Sequence, residues 1–235
     1  PYVFSDSCLA LDNPVTITGA TKANPVVVTA SSHGFVNGDL VDIKKVKGMT
    51  ELNGIRYKVA NKATNTFELT NQTSGANING TAFSAYDSAG EVRKGVTTIT
   101  GLEHLEGESV KIVGKGAVFP DKTVTAGAVT VSSAVSEAYV GQGFSGVIKP
   151  SRPEFGTPTG TSQGRKKRAN QVLVRLVNTT GIKINGDQVP FRKSSDLMGS
   201  PPASFTGDKK VMNLGYDRDG FVEIRQDQPL DFHIV

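Results

Sequence analysis

The sequence predicts an all-β protein, and three features carry that prediction. Glycine is abundant, at 26 of 235 residues, and turns built on Gly, Asn and Asp recur along the chain. Valine and threonine, which suit a pleated and half-buried surface, are frequent. Short alternating apolar runs return at a spacing of about ten residues with no helical period, the pattern of a sandwich or barrel. The length allows one large β domain or two smaller ones, each with its own core.

The elements follow in chain order. Val15-Thr16-Ile17-Thr18-Gly19 and Thr97-Thr98-Ile99-Thr100-Gly101 nearly repeat each other. Each alternates like a strand and closes on Gly. The block between them reads as an inserted module whose flanks duplicate one strand–turn seam of a host. The expected fold is therefore a split β host over 1–19 and 96–235, sandwich or propeller-like, with a small β-barrel inserted over 20–95.

Inside the module, strands are expected from Val26 to Thr29, Leu40 to Val46, Ile55 to Ala60 and Phe67 to Thr70. In the second of these, Val41 and Ile43 share one face and Asp42 and Lys44 the other. The connecting turns fall at His33-Gly34, Gly38-Asp39, Gly48-Met49 and Asn53-Gly54. Residues 71–90 are polar and Gly-rich and read as a long irregular loop.

After residue 96 the expected strands are Ser109 to Val113, Thr123 to Thr125 and Ala128 to Val131, the last two pairing across Ala126-Gly127. Residues 150–164 are dense in Pro and Gly and predict an extended arm. Gln171 to Val177 is mostly apolar; its length and valines favour a buried strand, although periodicity alone does not separate that from a helix turn. Residues 194–208 read as a loop. Phe221 to Arg225 and Phe232 to Val235 read as short strands.

Composition excludes several functions. The single cysteine, Cys8, allows neither an internal disulfide nor a Cys-based zinc cluster. Its small and apolar neighbours mark it as a core residue. No apolar run approaches the ~20 residues that span a bilayer as a helix. A net charge of +4 permits contact with nucleic acid without arguing for it. The chain opens on Pro1 with no signal-like segment and reads as a piece of a longer protein.

The densest cluster of titratable groups is Gly101-Leu102-Glu103-His104-Leu105-Glu106-Gly107-Glu108. A catalytic reading needs a nucleophile that the motif lacks. A zinc reading needs a third ligand, and His33 and His233 belong to other segments. The simpler reading is a turn bracketed by Gly101 and Gly107, with Leu102 and Leu105 tucked beneath and the charges capping backbone donors. His33, beside Gly34, is expected to bond backbone.

Gly160-Thr161-Ser162-Gln163-Gly164 matches G-x-S-x-G, but no apolar strand runs into the serine. Asp217-Arg218-Asp219-Gly220 lacks the spacing of a full calcium loop. No catalytic residue, metal or cofactor is assigned. The sharpest charge feature is Arg165-Lys166-Lys167-Arg168, a candidate for a subunit interface or for phosphate contact. Of the two, the subunit interface is favoured.

Two resemblances bear on function. Pro25-Val26-Val27-Val28-Thr29, Ser32-His33-Gly34-Phe35, Gly38-Asp39, Gly48-Met49, Asn53-Gly54, Tyr57 and Phe67 resemble a small β-barrel module of phage structural proteins. That module is named for its likeness to the first catalytic-cysteine half-domain of ubiquitin-activating enzymes. No cysteine falls within it here, so ubiquitin chemistry is not implied. The remainder, through Asp6-Ser7-Cys8-Leu9, the 100–108 motif, Val110, Gly116-Ala117-Val118, Ala138-Tyr139-Val140-Gly141, the basic cluster, Arg175 and Leu176, is similar to the C-terminal part of tail nozzle proteins of short-tailed bacteriophages.

The second resemblance implies a non-enzymatic virion tail component. Such a subunit would form a homo-oligomeric ring, commonly a hexamer, beside adaptor and fibre proteins, and genomic double-stranded DNA would leave through it without sequence-specific binding. The alternative is a receptor- or glycan-binding head, for which Tyr57 and Tyr86 are the tyrosines of the module region.

Overall fold

The computed structural model describes residues 5–154, 156–158, 160–162, 166–196, 201–212 and 215–235. They are almost entirely strand, turn and coil. The helical turns among them are two short 3-10 segments, Thr50–Leu52 and Glu103–Leu105. The all-β fold class is as expected. No helix among the described residues is long and apolar enough to cross a membrane.

The chain divides into two compact units. One comprises Leu9–Gly107 and Thr123–Tyr139. It holds an eight-stranded sheet whose path runs Ala128–Val135, Glu91–Thr100, Leu40–Lys44, Arg56–Ala60, Thr66–Asn71, Val27–Thr29, Gly19–Ala20, with Pro14–Thr16 also paired to Glu91–Thr100. Its strands pair antiparallel, as short connections require.

The path ends on the two-residue strand Gly19–Ala20 and does not return to Ala128–Val135. The sheet is therefore open, which corrects the expectation of a barrel. Closure needs a continuous staggered ladder, and a two-residue edge cannot supply one.

The unit is more extensive than residues 20–95, because flanking segments join its sheet. Pro14–Thr16 pairs with Glu91 to Arg93, and Ala128 to Thr130 pairs with Thr98 to Thr100. The two near-repeats therefore take different places: one lies along the start of the long strand, while the other is that strand's end. The core is continuous and apolar, with Val26, Val28, Ile43, Met49, Phe67 and Leu69 almost wholly shielded from solvent. Burial of this set supplies the main driving force, at about 25 cal/mol per Å² of apolar area.

The other unit comprises Pro1–Cys8, Glu108–Lys122 and Val140–Val235. Its sheets are smaller. In one, Ser109–Gly114 and Ala117–Thr123 are neighbours; a second is ordered Gly146–Ile148, Ile224–Gln226, Lys183–Ile184, Asp187–Gln188. Gln171–Thr179 and Phe205–Met212 form a separate two-stranded ribbon. Val174, Leu176, Ile182, Ile184 and Phe191 cluster beneath it.

Several local expectations change. Thr123 to Thr125 does not form the strand that pairs with Ala128 to Val131. The strand lies earlier, at Ala117–Thr123, and Thr125 makes only an isolated bridge to Ala128. Ala128–Val135 pairs instead with Glu91–Thr100, where Val129 and Val131 can be buried.

Gln171–Thr179 is a strand, but only half-buried: Val174 and Leu176 face the core while Leu173 is 58% exposed. Covering on one face only explains the alternation. The loop expected over 194–208 ends sooner, because Phe205 begins a strand. Cys8 is exposed and outside any disulfide, so it is not the core residue expected.

Candidate interaction surface

The module's turns are internally bonded. The backbone N–H of Phe35 donates to Nδ1 of His33 at 3.0 Å. That nitrogen is thus an acceptor, which leaves the ring proton on Nε2, facing the Thr66 carbonyl at 3.4 Å. The imidazole is buried and packs edge-on against Phe67 with ring centroids 5.1 Å apart.

Gly34 and Gly38 take positive φ, and the Gly38 N–H donates to the Val59 carbonyl at 2.8 Å. Asp39 accepts from the Val36 N–H at 2.9 Å and meets the Lys94 ammonium at 2.8 Å. The Asn53 side chain clamps Val46, accepting from its N–H and donating to its carbonyl, both at 2.9 Å. Gly54 then turns back with φ +78, its N–H on the Ile43 carbonyl at 2.9 Å.

The 101–108 segment is a compact turn. Gly101 and Gly107 have positive φ. The Leu102 N–H donates to the Gly127 carbonyl at 3.0 Å and the Gly107 N–H to the Val124 carbonyl at 3.1 Å. Leu102 and Leu105 are buried. Glu106 straddles the facing turn, each carboxylate oxygen accepting one backbone N–H, from Ala126 at 2.9 Å and Gly127 at 2.7 Å. His104 is the middle residue of the 3-10 segment and is exposed. Among the described residues no group of three or more His, Cys, Asp or Glu is arranged to hold a metal ion.

Of the basic cluster, Arg165 lies outside the described residues, as do Gln163 and Gly164 of the G-x-S-x-G match. Lys166 is exposed. Lys167–Arg168 is a two-residue strand paired with Tyr216–Asp217. The Lys167 ammonium donates to the Pro153 carbonyl at 2.9 Å, and the Arg168 guanidinium lies 5.3 Å from the centroid of the Tyr216 ring. Asp219 is engaged by Arg152 at 3.0 Å. Ser162 is buried after the short hairpin Gly156–Thr157 and Gly160–Thr161.

Sequence reading missed a network of opposite charges in the Leu9–Gly107 unit. Arg93, buried, meets Asp12 at 2.6 Å, Glu91 at 2.8 Å and Glu137 at 3.0 Å. Lys44 adds a 2.5 Å contact to Glu137 and Lys45 a 2.9 Å contact to Glu91. Burial alone would lower the Arg93 pKa; hydrogen bonds to Asp12 and Glu91, with the charge of Glu137, outweigh it and raise it.

Beside this network, Asp42 is only 3% exposed and takes a two-pronged bond from Arg56, at 3.1 and 2.7 Å. The other end of Arg56 donates to the Ala134 carbonyl at 2.7 Å. The one available signal was the placement of Asp42 and Lys44 on the sheet face opposite Val41 and Ile43. The partners lie too far away in sequence to be named from it.

Residues 23–95 match the family model described as the ubiquitin-activating enzyme E1 FCCH domain. That stretch is similar to this domain over less than a third of the chain, and the match covers most of the eight-stranded sheet. A search of curated proteins finds no match.

Proposed function

We propose that the chain is a structural subunit of a short-tailed phage tail, of the nozzle type, acting in a homo-oligomeric ring through which DNA is ejected. The observation that carries this reading is the residue pattern shared with tail nozzle proteins on both sides of residues 20–95, joined to a module of the kind found in phage structural proteins. The geometry is compatible with mechanical work. His33, Glu106 and Asn53 are engaged in holding turns, and the charged side chains of the long sheet are cross-braced as ion pairs. In this proposal the basic cluster is the subunit contact.

The glycan-binding alternative has less support. Tyr57 is 2% exposed, and the Tyr86 hydroxyl donates to the Ile17 and Ala89 carbonyls at 3.1 and 2.9 Å. Neither ring is offered as a flat sugar platform.

The test is solution mass by light scattering together with micrographs of the parent virion labelled for this chain. A closed ring at the tail tip is the expected result; a monomer at every concentration, with no label on the tail, would sink the proposal. Neutralising Arg165, Lys166, Lys167 and Arg168 together, with ring assembly and DNA retention read separately, tests the contact. A change in DNA retention alone would reject the interface role.

A further inference from the structure

An asparagine followed by glycine is prone to spontaneous deamidation, because glycine has no side chain to hinder its backbone nitrogen from reaching the preceding amide. The chain carries four such dipeptides, Asn37-Gly38, Asn53-Gly54, Asn79-Gly80 and Asn185-Gly186. The reaction needs the glycine nitrogen free to lose its proton and approach Cγ. A glycine N–H already held by a carbonyl is protected until that bond opens.

Three of the four are held. The Gly38 N–H donates to the Val59 carbonyl at 2.8 Å, that of Gly54 to the Ile43 carbonyl at 2.9 Å and that of Gly80 to the Ala23 carbonyl at 2.9 Å. Asn53 is held twice over, since its Nδ2, the group that would leave, donates to the Val46 carbonyl at 2.9 Å. Gly80 is buried as well.

Asn185-Gly186 differs. It is the exposed two-residue turn between Lys183–Ile184 and Asp187–Gln188, closed by the pairing of Ile184 with Asp187. Both turn residues have positive φ, +50 and +92, the tight geometry that matches the twist of the flanking strands. Among the described residues no backbone carbonyl accepts the Gly186 N–H. The Asn185 amide is meanwhile presented for attack: the Glu223 N–H donates to its Oδ1 at 2.8 Å. Oδ1 is the oxygen that gathers negative charge as Cγ is attacked, and a fixed N–H there stabilises it. Asn37 and Asn79 receive similar bonds, from the Lys62 and Thr81 N–H groups, but their glycine nitrogens are tied. The combination sets Asn185 apart.

We propose that Asn185 is a site of spontaneous deamidation in the folded protein. The inference does not rest on the tail reading. The Gly186 nitrogen gives its proton to solvent base and bonds to Cγ of Asn185. The Cγ–Nδ2 bond breaks, Nδ2 takes up a proton and leaves as ammonia, and a cyclic imide remains. Water then opens the imide at either carbonyl, giving aspartate or isoaspartate; nothing is oxidised or reduced.

Either product places a carboxylate beside Asp187. The isoaspartate also routes the main chain through the former side chain and lengthens it by one carbon. A two-residue turn closing the Ile184–Asp187 pair has no room for that extra atom. The hairpin, which continues in the Val189 N–H bond to the Ile182 carbonyl at 3.0 Å, is thereby loosened as the protein ages.

The test holds the whole chain folded in a mildly alkaline buffer at physiological temperature, beside a second sample unfolded in guanidinium chloride. Both are digested at low pH, and the four Asn-Gly peptides are quantified by mass spectrometry. Unfolded, the four convert at comparable rates, because each is the same dipeptide. Folded, Asn185 is expected to stay within about threefold of its unfolded rate, while Asn37, Asn53 and Asn79 slow by about tenfold or more, since a backbone bond must open first.

Asn185→Gln, whose longer side chain does not close the same ring, is expected to remove the acidic species that the folded natural chain accumulates on ion exchange. If that variant fails to fold, the folded-to-unfolded ratios of the natural chain still decide. Slowing of Asn185 as large as that of the other three would overturn the proposal. So would faster conversion in the folded chain at any of them than at Asn185.

Discussion

Arg93 and Asp12 are separated by 81 residues, yet Nε of Arg93 donates to Oδ1 of Asp12 at 2.6 Å. Hydrogen bonding to Arg93 holds the Asp12 carboxyl below its ordinary value, and the hydrogen bond from Lys45 does the same for Glu91. A carboxyl whose pKa falls on folding stabilises the fold above its unfolded pKa. That contribution is lost as the pH drops through the folded value. The thermal midpoint should hold from neutrality to about pH 5 and fall steeply below about pH 4. Arg93→Met should cost about 3 kcal/mol near neutrality, since it leaves carboxylates without their buried partner, and should flatten the acid limb. Melting curves against pH for both proteins check this; parallel limbs would refute it.

Gly48 and Gly54 both have positive φ, but only one is crowded. A Cβ on Gly48 would stand 2.2 Å from the Ala85 carbonyl oxygen and 2.6 Å from the Asp87 nitrogen, whereas one on Gly54 meets nothing within 4 Å. Gly54→Ala should cost about 1 kcal/mol, the conformational term alone. Gly48→Ala should cost at least about 3 kcal/mol, because loop backbone must move as well. Urea unfolding of the two variants separates these terms; equal losses would count against the described path of residues 85–87.

Glu106 and His104 lie in one turn with different duties. Glu106→Ala leaves the Ala126 and Gly127 N–H groups without their acceptor and should cost about 2 kcal/mol. His104→Ala, at an exposed position, should stay within about 0.5 kcal/mol. Chemical denaturation measures both. A larger loss at His104 than at Glu106 would contradict the assignment of the turn.

Tyr57 is buried in the core of the long sheet, and that burial pushes its hydroxyl pKa up to about 12. A raised folded value means that the unfolded chain ionises first, so stability is lost as the pH rises from about 10 towards 12. Tyr57→Phe should lessen that alkaline fall, as thermal melts between pH 9 and 12 would show. In the folded protein, ultraviolet titration should find this tyrosine silent at a pH where exposed ones ionise.

Local strands were legible in the sequence because alternation is a local property. Leu40–Lys44, Arg56–Ala60 and Thr66–Asn71 fall within a residue or two of their apolar runs. Pairing was harder to read. A short turn at Ala126-Gly127 suggested a hairpin, but burying Val129 and Val131 favoured the distant Glu91–Thr100 strand. Phe205–Met212 was hidden because its exposed positions are Thr206, Asp208, Lys210 and Met212 and its inward ones include Gly207 and Lys209. Lys209 is held there by the Phe191 and Phe205 rings, 5.2 and 4.7 Å from their centroids. The Asp42–Arg56 and Asp12–Arg93 pairs escaped notice for a similar reason: a charged residue in a strand reads as solvent-facing until its partner is placed over it.

The ten-residue strand Glu91–Thr100 has a practical bearing on any attempt to move this module elsewhere. Its first residues hold Pro14–Thr16 and Leu40–Lys44, while its last hold Ala128–Val135. A gene cassette trimmed at residue 95 would saw through this beam midway, exposing raw sheet margin and inviting the excised product to aggregate. A clean transplant would carry the whole beam together with the strand Ala128–Val135 that pairs with its far end. The recombination unit is thus wider than the stretch a family match outlines.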